Sequence, residues 1–333
     1  MVLGMADSPK PLSECMRGRN SAYYKAGGTR IYEDFSTYAQ SEEGLLTRAQ
    51  AREFHRWAQN RPKPYWRVAE AGGGEGAFAH GFLQELKALD GKSGTDIAGR
   101  IHYTLLDFSQ PMLKKAKARL EKEGFGSQID THEWDASGDE PPLPFASHDL
   151  VRCNELLSDL PAQAYARMGE QLMEARYDEK MNPHLLPAEW QALNDLERKL
   201  VLALPPKYIL PINRAALQAA LALAASLNAG GKLDVFDYGF YLAADFDLPP
   251  QMWNDTIVRE FNGQWTADLN FLYLSAALAA EGWSTRVEPQ EDYAKRWKGK
   301  EEGKRAEEGL DYEEEEDDIQ EDDFFYHLRV QKQ

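Results

Sequence analysis

The sequence is poor in cysteine and has no long apolar run. Among its 333 residues only Cys15 and Cys153 are cysteines, and their wide separation excludes a disulfide framework or a cysteine metal site. No stretch approaches the roughly 18 consecutive apolar residues of a membrane span, and the N-terminus lacks the features of an export signal. We therefore expect a cytoplasmic protein without membrane contact, and no transit peptide supports a mitochondrial location.

Basic residues are outnumbered by acidic ones, with 38 Lys and Arg against 55 Asp and Glu. The formal net charge is −17, and ten acidic residues fall between positions 311 and 323, within an acidic loop expected at 300–323. Nucleic-acid-binding proteins usually need a basic face, so this balance argues against a nucleic-acid partner and favours a basic protein. The seven histidines are dispersed, and the cluster at His132 has no second group of ligands near it, so no metal site is expected. The sequence does not indicate the oligomeric state.

Short apolar segments alternate with amphipathic ones along the chain. Strands are predicted at 65–71, 101–108, 129–135, 148–153, 232–240, 283–287 and 324–331, and helices at 45–59, 77–89, 110–123, 215–228 and 270–280. This alternation is typical of β-α-β units and predicts a doubly wound, mostly parallel α/β sheet. The predicted organisation is an N-terminal cap at 1–60, a ligand-binding half of the core at 61–160, an inserted helical subdomain at 161–206 and the remainder of the core at 207–333.

A glycine-rich loop lies between the first strand and the first helix of this core. Its glycines are Gly72, Gly73, Gly74 and Gly76. They remove side chains where a ligand must touch the backbone, and the helix N-terminus offers unpaired N–H groups to an anion. Glu70 precedes the loop and could face a cationic amino group. The loop up to Ala77 also satisfies the G-x-G-x-x-A fingerprint of dinucleotide sites, although Glu70 and Glu75 would then flank a pyrophosphate.

Polar and aromatic residues end the next predicted strands, at the edge where open α/β sheets bind ligands. Asp107 ends the second strand and could accept both hydroxyls of a ribose, or be a solvated strand end. Asn154 and Glu155 end the fourth, where a carboxylate could bind a cationic group. The other predicted ligand contacts are Phe108, Ser109, Trp134, Asp135 and Ala136. Trp134 could instead be a core residue.

Several ordered motifs resemble the MidA family of class I S-adenosylmethionine-dependent methyltransferases. The matching segments are Tyr23-Tyr24, Asp34-Phe35-Ser36-Thr37, EAGGGEG at 70–76, Asp107-Phe108-Ser109, NELLSDLP at 154–161, Gly230-Gly231 with Asp237-Tyr238-Gly239, and 263–271. They span most of the chain. Three places depart from the family pattern: Ser158 replaces an aspartate, with Asp159 following it, Gly81 replaces an acid in the helix after the loop, and 268–270 lacks a histidine.

The resemblance implies a seven-stranded Rossmann-like sheet, S-adenosylmethionine as the cofactor, and arginine in a protein as the methyl acceptor. The glycine loop would then hold the carboxylate of the cofactor's methionine part. Glu155 is the first candidate to orient the acceptor and take its proton, with Asp159 and Asp237 behind it; Asp237 could instead cap a turn. Two other functions stay open: an NAD-linked oxidoreductase, and a non-catalytic assembly factor that keeps the fold.

Overall fold

The computed structural model describes residues 8–27, 44–241, 248–261, 263–297 and 325–332. The predicted acidic loop at 300–323 and the Asp34-Phe35-Ser36-Thr37 motif lie outside the described residues. The strands are β1 (Lys10–Pro11), β2 (Trp66–Ala71), β3 (Ile101–Asp107), β4 (Ile129–Glu133), β5 (His148–Asn154), β6 (Gln163–Met168), β7 (Gln171–Tyr177), β8 (Pro183–Pro187), β9 (Leu210–Ile212), β10 (Leu227–Phe240), β11 (Val258–Phe261), β12 (Gln264–Ala267), β13 (Leu269–Asn270), β14 (Trp283–Pro289) and β15 (Phe325–Lys332). The helices are α1 (Leu12–Gly27), α2 (Leu45–Gln59), α3 (Ala77–Ser93), α4 (Gln110–Lys122), α5 (Asp195–Ala203), α6 (Arg214–Ala225), α7 (Pro250–Thr256), α8 (Phe271–Ala280) and α9 (Gln290–Arg296).

The core sheet has the strand order β14-β15-β10-β5-β2-β3-β4, with the two-residue strand β13 beside β10. The strands from β10 to β4 are parallel, whereas β15 lies antiparallel between β10 and β14. The predicted mostly parallel sheet is therefore present, but β13 makes the number of strands eight instead of seven. Because parallel strands point the same way, β2, β3, β5 and β10 end at one edge of this sheet.

Helices cover both faces of the core sheet. On one face α2, α3, α4 and α9 bury residues such as Phe54 and Phe82 against Val68. On the other face α6 and α8 bury Leu223 and Leu274 in the cluster that contains the remaining strand residues. A sheet that is covered on both sides needs nearly continuous apolar strands, which explains sequences such as WRVAEA in β2.

The prediction of a helical subdomain at 161–206 is wrong. This segment contains β6, β7 and β8, and its helical parts are α5 and the short 3₁₀ turn Trp190–Ala192. β6 and β7 form a hairpin in which Met168 pairs with Gln171, and Gly169 in the turn has a φ of 63°. With β1 and β9 the three strands form a five-stranded antiparallel sheet, so the unit also extends beyond the predicted boundaries.

The predicted N-terminal cap and the predicted end of α6 also differ from the structure. α1 packs against β7 and β12, whereas α2 packs against α3 and α9, so these helices belong to different layers. The helix predicted at 215–228 ends at Ala225, and Gly230 and Gly231, which follow that predicted helix, lie inside β10. A Cβ atom on Gly231 would lie 2.7 Å from the carbonyl oxygen of His148, so this glycine allows the close approach of β5.

Candidate active site

The glycine loop joins β2 to α3 and lies against the end of β3. Gly72 and Gly73 donate their N–H groups to the carbonyl oxygen of Leu106, at 2.9 and 3.1 Å. Gly72, Gly74 and Gly76 have φ angles of 72°, 49° and 71°, in the left-handed region that favours glycine. The backbone conformation of the loop therefore requires glycine at these positions.

α3 begins directly after this loop, at Ala77. The first N–H groups of a helix have no acceptor within the helix, and the N-cap residue, Gly76, has no side chain to offer one. A Cβ atom on Gly73 would lie 2.8 Å from Cδ2 of Leu105, so the loop backbone sits close to β3 beside this helix end. The partial positive charge of the N-terminus could hold an anion here.

Asp107 ties the glycine loop to the end of β3. Its Oδ2 accepts the N–H of Gly74 at 3.1 Å, and its Oδ1 accepts the N–H of Ser109 at 2.9 Å. Burial raises the pKa of Asp107, although both backbone hydrogen bonds oppose the change. Each carboxylate oxygen has about two lone-pair sites, so both could still accept a hydroxyl group of a ligand.

Glu70 lies at the end of β2 but is only 3% exposed. Its Oε2 accepts a hydrogen bond from the hydroxyl group of Tyr103 at 2.6 Å, and Arg152 lies opposite it on β5. Burial raises the pKa of Glu70, whereas Arg152 and Tyr103 oppose the increase. Neither Tyr103 nor Arg152 was among the predicted site residues; the signal for Arg152 was a cation within the apolar strand HDLVRC.

The predicted ligand contacts that follow β3 and β4 differ in exposure. Phe108 is 40% exposed, whereas Trp134 is 5% exposed and lies in the core cluster, with its indole N–H bonded to the carbonyl oxygen of Glu140. Asp135 is exposed and accepts hydrogen bonds from the N–H and hydroxyl groups of Ser137. Ala136 is half-buried against the core. Trp134 thus has the structural role that the sequence left open, and its contact with a ligand stays a prediction.

Asn154 and Glu155 lie at the carboxyl end of β5, as predicted. Glu155 has a φ of 45°, which is uncommon for a residue other than glycine. The N–H group of Glu155 donates to the carbonyl oxygen of Phe236 at 2.8 Å, and the Nδ2 atom of Asn154 donates to Oε1 of Glu155 at 3.1 Å. Backbone strain of this kind is often found at functional sites, where surrounding contacts stabilise it.

Asp237 lies at the same edge, in β10, and is fully buried. Its Oδ2 accepts the N–H groups of Leu157 and Ser158 at 3.0 and 3.2 Å, so it caps the 3₁₀ turn that follows β5. Burial raises the pKa of Asp237 well above its usual range, and the nearby charges of Glu155 and Asp159 raise it further. The structure therefore brings the three predicted catalytic carboxyl groups together, and Asp237 has the capping role that was its alternative.

The described residues contain no candidate metal site and no membrane-spanning helix. No cluster of three or more His, Cys, Asp or Glu residues suited to a metal ion occurs in that part of the chain. Within the same part, every helix is too short or too polar to cross a membrane.

A cavity of about 950 Å³ lies toward the amino ends of β2, β3 and β4 and is lined by residues such as Arg67 and His102. It therefore does not coincide with the glycine loop, which follows the carboxyl end of β2.

Residues 45–280 match the protein family described as "Putative S-adenosyl-L-methionine-dependent methyltransferase". Among solved structures, a "likely methyl transferase" from Burkholderia thailandensis bound to S-adenosyl-homocysteine aligns with a TM-score of 0.66 and 19% identity, over 97% of this chain and 87% of that one. An uncharacterized protein of the same superfamily and organism has a TM-score of 0.56 and 17% identity, over 98% and 95% of the two chains. At these identities the likeness shows a shared fold. No curated protein matched the sequence.

The family match includes β2, the glycine loop, Asp107 and the acidic residues after β5. This match confirms the predicted family resemblance, the predicted enzyme class and the predicted cofactor, S-adenosylmethionine. It favours a methyltransferase over the alternative of an NAD-linked oxidoreductase. The chain belongs to this family of S-adenosyl-L-methionine-dependent methyltransferases.

Proposed function

We propose that this enzyme methylates an arginine side chain of a protein. The observation that carries the proposal is the group of three carboxyl residues, Glu155, Asp159 and Asp237, at the ends of β5 and β10. A guanidinium group is cationic and presents several N–H donors, so it is best held by carboxylates. The net charge of −17 also favours a basic protein as the partner over nucleic acid.

The loop and strand ends provide groups that fit each part of the cofactor. We assign the carboxylate of the methionine part to Gly72, Gly74, Gly76 and the first turn of α3, and the ammonium group to Glu70. The ribose hydroxyls are assigned to Asp107, which keeps free lone-pair sites on both oxygens. The remaining proposed contacts of the cofactor are Phe108, Ser109, Trp134, Asp135, Ala136 and Asn154.

Methyl transfer needs an aligned nitrogen with a free lone pair. S-adenosylmethionine supplies an electrophilic methyl group on a sulfonium sulfur. Glu155 would accept hydrogen bonds from the guanidinium group, align one nitrogen and take its proton. Asp159 would add a second negative charge behind it. Asp237 would act indirectly, because its bonds to Leu157 and Ser158 fix the turn that carries Asp159.

The proposal is tested by incubating the purified protein with labelled S-adenosylmethionine and a cell extract. The label should enter protein and be recovered as methylarginine after hydrolysis. Glu155→Gln should bind S-adenosyl-homocysteine like the wild type but lose turnover by about a hundredfold or more. The matched control is Glu133→Gln, an exposed carboxylate at the end of β4, which should keep full activity.

Other outcomes would contradict specific parts of this proposal. Label in another amino acid or in a small molecule would overturn the arginine acceptor. Intact binding of S-adenosyl-homocysteine with no label in any molecule would favour the non-catalytic assembly factor. Full activity of Glu155→Gln would remove Glu155 from the reaction.

A further inference from the structure

A row of charged residues crosses the core sheet at one level. Glu70 on β2 lies opposite Arg152 on β5, which lies opposite Asp234 on β10, which lies opposite Arg329 on β15. The charges alternate in sign, and neighbouring strands are about 4.8 Å apart, so each side chain is within reach of the next. The row passes beneath α2 and α3, and its first member lies next to the glycine loop.

Arg152 is the incompletely paired member of this row. Its side chain is fully buried, and its three guanidinium nitrogens have no hydrogen-bond partner among the residues that the structure describes. The guanidinium group lies over the ring of Phe78, in the first turn of α3. A buried cation without hydrogen bonds is strongly unfavourable, so a function that needs its charge is a physical reason for its presence.

Asp234 has little capacity left for Arg152. Its carboxylate accepts hydrogen bonds from Nε and Nη2 of Arg329 at 2.7 and 3.1 Å, from His327 at 3.0 Å and from Gln50 at 3.1 Å. A carboxylate offers about four lone-pair sites, and these four donors use them. The charge of Asp234 still attracts Arg152, but Glu70, the other neighbour of Arg152 in the row, attracts it more strongly.

Glu70 does have that capacity. Among the described residues, its carboxylate accepts one side-chain hydrogen bond, from Tyr103. Burial alone favours the neutral acid, which attracts an ammonium group much less than a carboxylate does. Arg152 is the nearby cation that opposes this effect of burial.

We infer that Arg152 is a positioning residue for the cofactor: its guanidinium group faces Glu70 from the neighbouring strand and favours the ionised carboxylate beside the glycine loop, and this carboxylate binds the cofactor's ammonium group. The inference rests on the cofactor site that we propose above. Arg152 itself does not touch the cofactor in this arrangement. It stabilises the charge on the residue that does.

The test compares the binding of two compounds by calorimetry at neutral pH. S-adenosyl-homocysteine carries the ammonium group, whereas 5′-methylthioadenosine has the same nucleoside without the amino-acid part. Arg152→Met should weaken the first compound roughly tenfold or more and leave the second nearly unchanged. Arg152→Lys should recover part of the lost affinity. Glu70→Gln should weaken the same compound, and the double variant should lose no more than Glu70→Gln alone.

The affinity ratio of the two compounds also depends on pH in the wild type. Lower pH protonates Glu70, so the ratio should fall toward one; Asp107 contacts the nucleoside that both compounds share and cancels in the ratio. The groups that face Glu70 are Tyr103 and Asp107 from β3 and Arg152 from β5. This measurement needs no variant and therefore remains available if Arg152→Met does not fold.

Three results would overturn the inference. Equal weakening of both compounds in Arg152→Met would indicate a structural role, and additive losses in the double variant would show that Arg152 does not act through Glu70. A ratio that does not change with pH would remove the ionised Glu70. If the wild type binds neither compound, the cofactor site itself is wrong, which is a distinguishable failure.

Discussion

Two clusters of ionisable residues lie under the same face of the core sheet, and they are paired to different extents. The Asp234 cluster consists of Glu53, Lys232, Asp234, His327 and Arg329; ion pairs join its lysine and arginine to the two carboxylates, and a hydrogen bond joins His327 to Asp234. The Glu70 cluster consists of Glu70, Tyr103, Asp107 and Arg152, and its arginine has no hydrogen-bond partner in the described part of the chain.

The two central carboxyl groups, Asp234 and Glu70, also differ in the direction of their pKa shifts. Burial would raise the pKa of Asp234, but Arg329 and Lys232 hold it well below its usual range. In Glu70 burial prevails and the pKa is raised. Complete pairing is what a structural network requires, whereas incomplete pairing beside a glycine loop leaves capacity for a ligand. Variants of the first cluster should therefore change stability, and variants near the second should change binding.

The largest expected effect is the loss of Arg329 from the Asp234 cluster. Arg329→Met would leave Glu53 and Asp234 buried without their main cation, so the free energy of unfolding should fall by about 3–5 kcal/mol. Urea denaturation measures this change. The control is Arg286→Met on the adjacent strand β14, whose side chain is 63% exposed and should contribute less than about 1 kcal/mol. Equal effects of the two variants would contradict the comparison.

A smaller effect is expected at the glycine loop. Gly74→Ala and Gly94→Ala both place a side chain at a positive φ, of 49° and 69°, so each should lose about 1–2 kcal/mol of stability. The two glycines flank α3 at opposite ends. Affinity for S-adenosyl-homocysteine should fall roughly tenfold in Gly74→Ala alone, because only that glycine belongs to the proposed cofactor site. Similar affinities of the two variants would show that the loop does not contact the cofactor.

The smallest effect is a difference in the pH dependence of stability. Burial would raise the pKa of Glu288, but His327 and Arg296 lower it to about 2. Its stabilising contribution is therefore present above the usual value of 4.5 and is lost as the pH falls toward 2. Glu70 has a raised pKa, so its contribution is present below 4.5 and is lost as the pH rises through the raised value.

Glu288→Gln and Glu70→Gln should thus change the slope of stability against pH in opposite directions. Urea denaturation at a series of pH values measures both slopes. Changes of the same sign would mean that the two carboxyl groups do not differ in the way that their surroundings indicate.

Much of the core sheet could be predicted because its strands are apolar and end in glycine or acidic residues. The second sheet could not, since its pairing is non-local: β1 at Lys10 joins β7 at Tyr177. Strands such as QLMEARY in β7 are short and amphipathic. Over so few residues the spacing of apolar residues in a helix is hard to distinguish from their alternation in a strand. The turn at Gly169 was the usable signal for a hairpin.

Those residues of the candidate site that lie at the ends of strands could be predicted from the sequence. Asp107, Asn154 and Glu155 could be located because each follows an apolar strand. The partners of Glu70 could not, because the register between β2, β3 and β5 decides which side chains meet beneath the loop. Asn270, which stands in the segment that lacks a histidine, caps α8 by accepting the N–H group of Tyr273, a role that sequence alone does not reveal.

The position of β15 has a consequence for biosynthesis. This strand lies between β10 and β14, although the ribosome makes it after both of them. Until it inserts, a nascent chain exposes the facing edges of two strands and leaves the carboxylates of Glu53 and Asp234 without Arg329. Such open edges attract other chains and the chaperones that shield them. A stop codon before residue 325 would therefore yield a product for cellular quality control to remove.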